Sequence, residues 1–142
     1  MKNILLIFLI FNTLLVFSQE EQVKCNEITL KCLFVHPWEL VINNDKEYHQ
    51  NIRLNNIDNV CSDYSIPEID FNKFTLIGYS KSVAGCEIPT YSYEFIREEN
   101  KIILKIQIVT QGSCLRANHI VFWCLIPKLS QNEKVIFKTK IN

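Results

Sequence analysis

From residue 101 to 110 apolar and polar side chains alternate. Ile102, Leu104, Ile106, Ile108 and Thr110 fall on one side, and Ile103, Lys105, Gln107 and Val109 on the other. A period of two predicts a half-buried strand. Such a strand is unstable alone, so its neighbours must supply a sheet and a layer that covers its apolar face. The same alternation runs through residues 27–35, with Ile28, Leu30, Cys32 and Phe34 on one face, and through residues 74–82. It returns over 90–97, where Tyr91, Tyr93 and Phe95 share a face, and over 134–141, where Val135, Phe137, Thr139 and Ile141 oppose Lys138 and Lys140. Lysines there suit an exposed edge. Residues 119–127, HIVFWCLIP, are apolar on both faces, which predicts the most deeply buried strand.

Pro37 ends the first strand, which 38–42 resumes briefly. Asn44 followed by Glu47 fits a helix N-cap and predicts a short helix from Asp45 to about Leu54, packed on the sheet through Tyr48, Ile52 and Leu54. Residues 19–24 are polar and expected to fray, and 55–65 read as a loop holding Cys61. Residues 83–89 and 111–114 read as turns, and Glu98, Glu99 and Asn100 as a hairpin connection between 90–97 and 101–110. The expected fold is therefore mostly β: an antiparallel sheet or small sandwich of about six strands with one short helix, in a single domain over 19–142.

Residues 1–18 have a different pattern. Lys2 precedes an apolar run, and Val16 and Ser18 stand three and one residues before a cut at Gln19, which predicts a signal peptide and export to a periplasm or outside the cell. Asn12 and Thr13 interrupt the run, which falls short of the roughly 20 residues of a membrane-crossing helix. No membrane span is expected in the mature chain. Fifteen cationic and fifteen anionic residues cancel over the 142 residues, and loss of Lys2 leaves the mature chain fourteen against fifteen. A balance so close to zero disfavours a nucleic-acid surface built from bulk charge.

All six cysteines, Cys25, Cys32, Cys61, Cys86, Cys114 and Cys124, follow the predicted cut. In an oxidising compartment an even count predicts disulfides, with fifteen connectivities open for three bonds. Cys25 and Cys32 are an odd number apart, so one continuous strand points them to opposite faces. No Cys-x-x-Cys occurs and no cysteine has a histidine at ligand spacing, so neither metal nor cofactor is expected.

Catalytic constellations are weak. His36, His49 and His119 are the available bases, and none lies in a local signature with a nucleophile. A thiol enzyme would require a reduced, reachable cysteine, with Cys61 or Cys25 the best placed. Glu68 and Asp70 are two apart, but Asp70 reads as a turn residue before the strand. Tyr91, Tyr93 and Phe95 read as a core face in preference to a sugar-stacking platform, while Tyr79 and Tyr64, near loops, suit exposed contact. Lys101, Lys105, Lys138 and Lys140 read as solvent-facing residues.

The order of several pieces is similar to the PrcB C-terminal domain and its small secreted relatives in Bacteroidetes. These are Val41-Ile42 before a helix with Glu47-Tyr48, Ile69-Asp70-Phe71, Phe74-Thr75-Leu76-Ile77, a long hairpin, and a closing Leu125-Ile126-Pro127-Lys128. The resemblance covers roughly residues 40–141. It implies association with, and stabilisation of, an exported protease or envelope protein. Where that family carries Thr-Gly-Gly-Tyr, this chain has Ser82-Val83-Ala84-Gly85-Cys86, with a single glycine, so a disulfide from Cys86 is expected to replace the rigidity of the glycine turn. The resulting reading is a non-enzymatic interaction domain with a protein partner. Its binding residues are Ser82, Val83, Ala84, Gly85, Glu87, Ile88, Gln111 and Gly112, braced by a Cys86–Cys114 bond. A protease inhibitor or a sugar-binding β-module is the alternative.

Overall fold

The computed structural model describes residues 20–30, 38–55 and 67–142, with 52–55 described by backbone alone. Its elements are β1 (Glu21–Gln22), β2 (Asn26–Ile28), β3 (Trp38–Ile42), α1 (Asp45–Asn55), β4 (Phe74–Ala84), β5 (Thr90–Glu98), β6 (Lys101–Val109), β7 (Ala117–Pro127) and β8 (Lys134–Ile141). They form two four-stranded sheets, ordered β1-β5-β6-β8 and β2-β7-β4-β3. The chain is thus mostly β, a sandwich with one short helix, and has eight described strands where about six were expected.

The alternating run at 101–109 became β6, the inner strand of the first sheet. It pairs with β5 from Thr90↔Val109 to Glu98↔Lys101. Glu99, at a φ of 48°, enters the left-handed region that this two-residue connection demands. On the other side β6 pairs with β8, and here an antiparallel expectation is corrected: Lys101↔Lys134 through Ile108↔Ile141 run parallel. The cause is the intervening β7, which crosses back in the second sheet, so the chain re-enters the first sheet in the direction of β6. As predicted, β8 is the edge, and Lys134, Lys138 and Lys140 face solvent.

Two further expectations near the first described residues change. Residues 19–24 were expected to fray, yet Glu21 and Gln22 pair with Arg97 and Ile96, and the Val23 N–H donates to the Phe95 carbonyl at 2.9 Å. Burial of Val23 makes this short segment worth ordering. The predicted strand over 27–35 is only Asn26–Ile28, paired with Trp123 to Leu125, while residues 31–35 lie outside the described residues.

Between the sheets, β6 contributes Ile102, Leu104, Ile106 and Ile108, β4 contributes Ile77, Tyr79 and Val83, and β7 contributes Ile120, Phe122, Cys124 and Ile126. Aromatic rings cross this core. Tyr79 stacks on Phe122 at 5.4 Å and on Phe137 at 6.4 Å, and Phe122 stacks in turn on Tyr93 at 4.5 Å and on Tyr91 at 5.7 Å. Tyr93 and Phe95 therefore belong to the core face, and Tyr91 stands at its margin, 40% exposed. Tyr79 corrects its expectation. It faces inward from β4, is 1% exposed, and its hydroxyl bonds to that of Thr139 at 2.8 Å. Tyr64 lies outside the described residues. The Tyr93 hydroxyl donates to the Glu27 carboxylate, and burial, reinforced by that carboxylate, drives its pKa upward.

β7 is central, as its two apolar faces required. Its other face, with Trp123, joins Leu76, Ile42, Tyr48, Phe71 and Leu30 in a second cluster under the helix. Asn44 Oδ1 accepts from the Glu47 N–H at 2.9 Å, and the Glu47 carboxylate reaches back to the Asn43 N–H at 2.9 Å, so the cap formed one residue wider than the usual reciprocal pair. Tyr48 packs on the sheet as predicted and donates to the Pro67 carbonyl at 3.0 Å, while the side chains of Ile52 and Leu54 lie outside the described residues. Asp70 does turn work: its carboxylate accepts from the Asn72 N–H at 3.1 Å and pairs with Lys73 at 3.1 Å.

Candidate functional site

Strands β4 and β6 end, and β5 and β7 begin, at one end of the sandwich, so the 85–89 turn and the 110–116 segment meet there. A disulfide joins them, Cys86 to Cys114, with Cα atoms 4.8 Å apart. Backbone bonds align the two segments around it: the Cys86 N–H donates to the Gln111 carbonyl at 2.7 Å and the Gly85 N–H to the Arg116 carbonyl at 3.2 Å. From beneath, the Asn118 side-chain amide, buried in β7, donates to the Gly85 carbonyl at 3.1 Å. Gly112 adopts a φ of +74°, and a Cβ there would lie 2.4 Å from Cys86 Sγ, so the turn admits glycine alone without rearrangement.

This frame holds two large apolar side chains in water, Ile88 at 85% and Leu115 at 97% exposure. Tyr91, Val109 and Ile141, 40–49% exposed, stand at the same end, so it carries every exposed large hydrophobic among the described residues except Ile136. Single exposed apolar residues are ordinary, whereas a cluster on a cross-linked frame marks a contact surface. Burying each of Ile88 and Leu115 in a partner is worth about 1.5–3 kcal/mol before the costs of association. Glu87 and Arg116 contribute one charge of each sign.

The residues singled out from sequence are distributed over this end in three ways. Ala84, Glu87, Ile88, Gln111 and Gly112 are exposed upon it. Val83 and Gly85 are buried and support it from within, Val83 in the main core and Gly85 through its two backbone bonds. Ser82 is half-buried on β4, and its hydroxyl bonds His119 Nδ1 on β7 at 2.8 Å. Leu115 and Arg116 were missed. The signal was present, since a leucine and an arginine directly after a turn cysteine have no strand pattern to absorb them.

Ser82 and His119 form a pair without a carboxylate bonded to His119 among the described residues. Cys25, one of two cysteines considered as a free thiol, is bonded to Cys124, so that version of a thiol enzyme is corrected; the other, Cys61, lies outside the described residues, as does Cys32. No described cysteine is free. Glu68 and Asp70 are both exposed, Asp70 in its turn. Among the described residues no helix is long and apolar enough to cross a membrane, and no three His, Cys, Asp or Glu side chains are grouped to hold a metal ion. Comparison of the chain with protein-family models, with curated proteins and with solved structures finds no match.

Proposed function

We propose that the chain is an exported, non-enzymatic binding domain that captures a protein partner, an exported protease or envelope protein, through its disulfide-braced end. The observation that carries this reading is the near-complete exposure of Ile88 and Leu115 on two segments joined by Cys86–Cys114. A frame that spends a disulfide, a buried amide and an obligatory glycine on holding two apolar side chains in water has no use for them in its own fold. It pre-organises a contact, which lowers the ordering cost of binding. Two disulfides and the signal-peptide pattern of residues 1–18 support an oxidising destination.

The test is photo-crosslinking from position 115 in the secreted or envelope fraction of the producing cell, with mass spectrometry of the product. One discrete protein partner is expected, lost when Ile88 and Leu115 are both changed to Asp while near-ultraviolet circular dichroism is unchanged. Equal crosslinking by the double variant overturns the proposal. The same exposed, cross-linked Cys86-Glu87-Ile88 turn also suits a protease inhibitor, and it is the partner's catalytic rate that separates the readings. Inhibition supports the inhibitor reading, and unchanged or raised activity the stabiliser.

A further inference from the structure

The outward face of the first sheet has a charge of its own. With Phe95, Leu104 and Phe137 turned toward the core, alternation sends Ser92, Glu94 and Glu98 of β5, Lys101, Lys105 and Gln107 of β6, and Lys134, Lys138 and Lys140 of β8 to the opposite side. Registers place these in rows: Glu98–Lys101–Lys134, Glu94–Lys105–Lys138 and Ser92–Gln107–Lys140. Five lysines thus meet two glutamates on one face of a chain whose net charge is zero. Both glutamates are engaged, Glu98 with Lys101 at 3.0 Å and Glu94 with Lys105 at 3.3 Å. The lysines of β8 are left without an acidic partner among the described residues. Ser92, Glu94, Lys105 and Gln107, with Tyr93 at the rim, line a shallow depression of about 270 Å³ on this face.

A surplus of cations calls for an anion, and the shape of the face narrows its class. Single strands are held by aromatic platforms on which bases stack, and the rows hold no aromatic residue; base readout in a duplex needs an element that enters a groove, and the rows are made of strand residues paired within the sheet. Lipid interfaces are held by Trp, Tyr and Phe alongside the lysines, whereas the apolar row here is Ile96 and Ile103, both buried, and Ile136, 40% exposed, with no aromatic residue. What remains beside the cations is a hydroxyl and a primary amide, Ser92 and Gln107, next to a depression with polar walls, which is chemistry for sugar hydroxyls.

We infer that the outward face of β5, β6 and β8 is a second binding surface, which takes an acidic polysaccharide. Ser92, Lys105 and Gln107 hold one sugar unit, and Lys138 and Lys140 neutralise the carboxylates or sulfates that follow along the polymer. The Ser92–Gln107–Lys140 row lies beside Tyr91, Val109 and Ile141 of the braced end, but the two surfaces share no residue, so they can be tested by different variants.

The experiment measures binding of the mature, oxidised protein to heparin, to a carboxylated polysaccharide such as polygalacturonate, to poly-glutamate and to anionic phospholipid vesicles at near-physiological salt. Binding to at least one of the two polysaccharides is expected. It should weaken at least tenfold in the variant Lys138→Glu/Lys140→Glu, and severalfold in Ser92→Ala/Gln107→Ala, which removes no charge. Ile88→Asp/Leu115→Asp should bind the polysaccharide normally, so failure of this surface and failure of the braced end read out separately. Should Lys138→Glu/Lys140→Glu prove unfolded, Lys138→Gln/Lys140→Gln replaces it with the same expectation. Tighter binding to poly-glutamate or to vesicles than to either polysaccharide overturns the inference, as does polysaccharide binding that the lysine variants leave unchanged, or none at all.

Discussion

Cys25–Cys124 and Cys86–Cys114 are the same bond placed in opposite surroundings. Cys124 is fully buried in β7, and its partner ties the segment between β1 and β2 to the core. Cys86 and Cys114 are both exposed, and they join two turns that the strands beneath already position. The first bond closes a separation of 99 residues, the second one of 28. Position relative to the core, more than the bond, decides what a disulfide does: one fastens an edge of each sheet, and the other shapes a surface.

The largest effect should come from removing the buried bond. Cys25→Ala/Cys124→Ala is expected to cost about 4–5 kcal/mol of stability in denaturant melts, from the length of the loop it closes and the void left in β7. A loss below about 1 kcal/mol would break the comparison. Next, Cys86→Ala/Cys114→Ala should cost about 2–3 kcal/mol, less than chain entropy alone suggests because the backbone bonds at Gly85 and Cys86 persist, while crosslinking of a partner falls at least tenfold. Graded reduction sharpens the contrast, since thiol labelling should find Cys86 and Cys114 before Cys25 and Cys124.

Glycines give a smaller version of the same contrast. Gly78→Ala places a Cβ 2.4 Å from the Trp123 ring and 2.6 Å from that of Trp38, between two indoles that cannot both retreat, and should cost about 2–3 kcal/mol without touching partner binding. Gly112→Ala strains a left-handed turn at the exposed end and should cost about 1 kcal/mol in stability with a larger loss in binding. Urea melts beside the crosslinking assay separate the two.

The smallest predicted effect is electrostatic and belongs to the fold alone. Glu133 accepts from the Ser130 N–H at 2.7 Å and from Arg97 Nε at 2.8 Å. The backbone bond from Ser130 chiefly, with Arg97 adding to it against burial, holds its carboxyl below the ordinary value. A depressed folded value means that the stabilisation is present above the unfolded pKa, near 4.3, and is lost as pH falls through the folded one. Glu133→Gln should therefore cost about 0.5–1 kcal/mol at neutral pH, with the gap closing below about pH 4. Partner capture at neutral pH should not change.

How much of this could be read beforehand differs between the strands and the surfaces. The strands β4 to β8 each carry a period or an apolar run long enough to specify a face, and their chain order was legible to within two residues. β1 was not, because Glu21 and Gln22 are polar and pair only since Val23 finds a place in the core. Parallel pairing of β8 was hidden for a related reason: period reveals a face but not which neighbour lies beside it. At the braced end, Cys86, Gly112 and Ile88 could be named from turn chemistry, and Cys86–Cys114 followed from the family resemblance. Leu115 was overlooked because periodicity marks buried faces, and its one signal was its place directly after a turn cysteine, outside any strand pattern. The rows of lysines were visible one strand at a time, and only the register made them a surface.

The tie between Cys25 and Cys124 also sets an order of events. β5 and β6 meet across two residues and can zip within microseconds, whereas β2 must find β7 across most of the chain. If the chain is exported as proposed, Cys25 emerges before its partner and waits for Cys124, 99 residues later. Closure of that bond then records that β7 has arrived, and a chain cut before β7 would leave Cys25 available to thiol-based quality control.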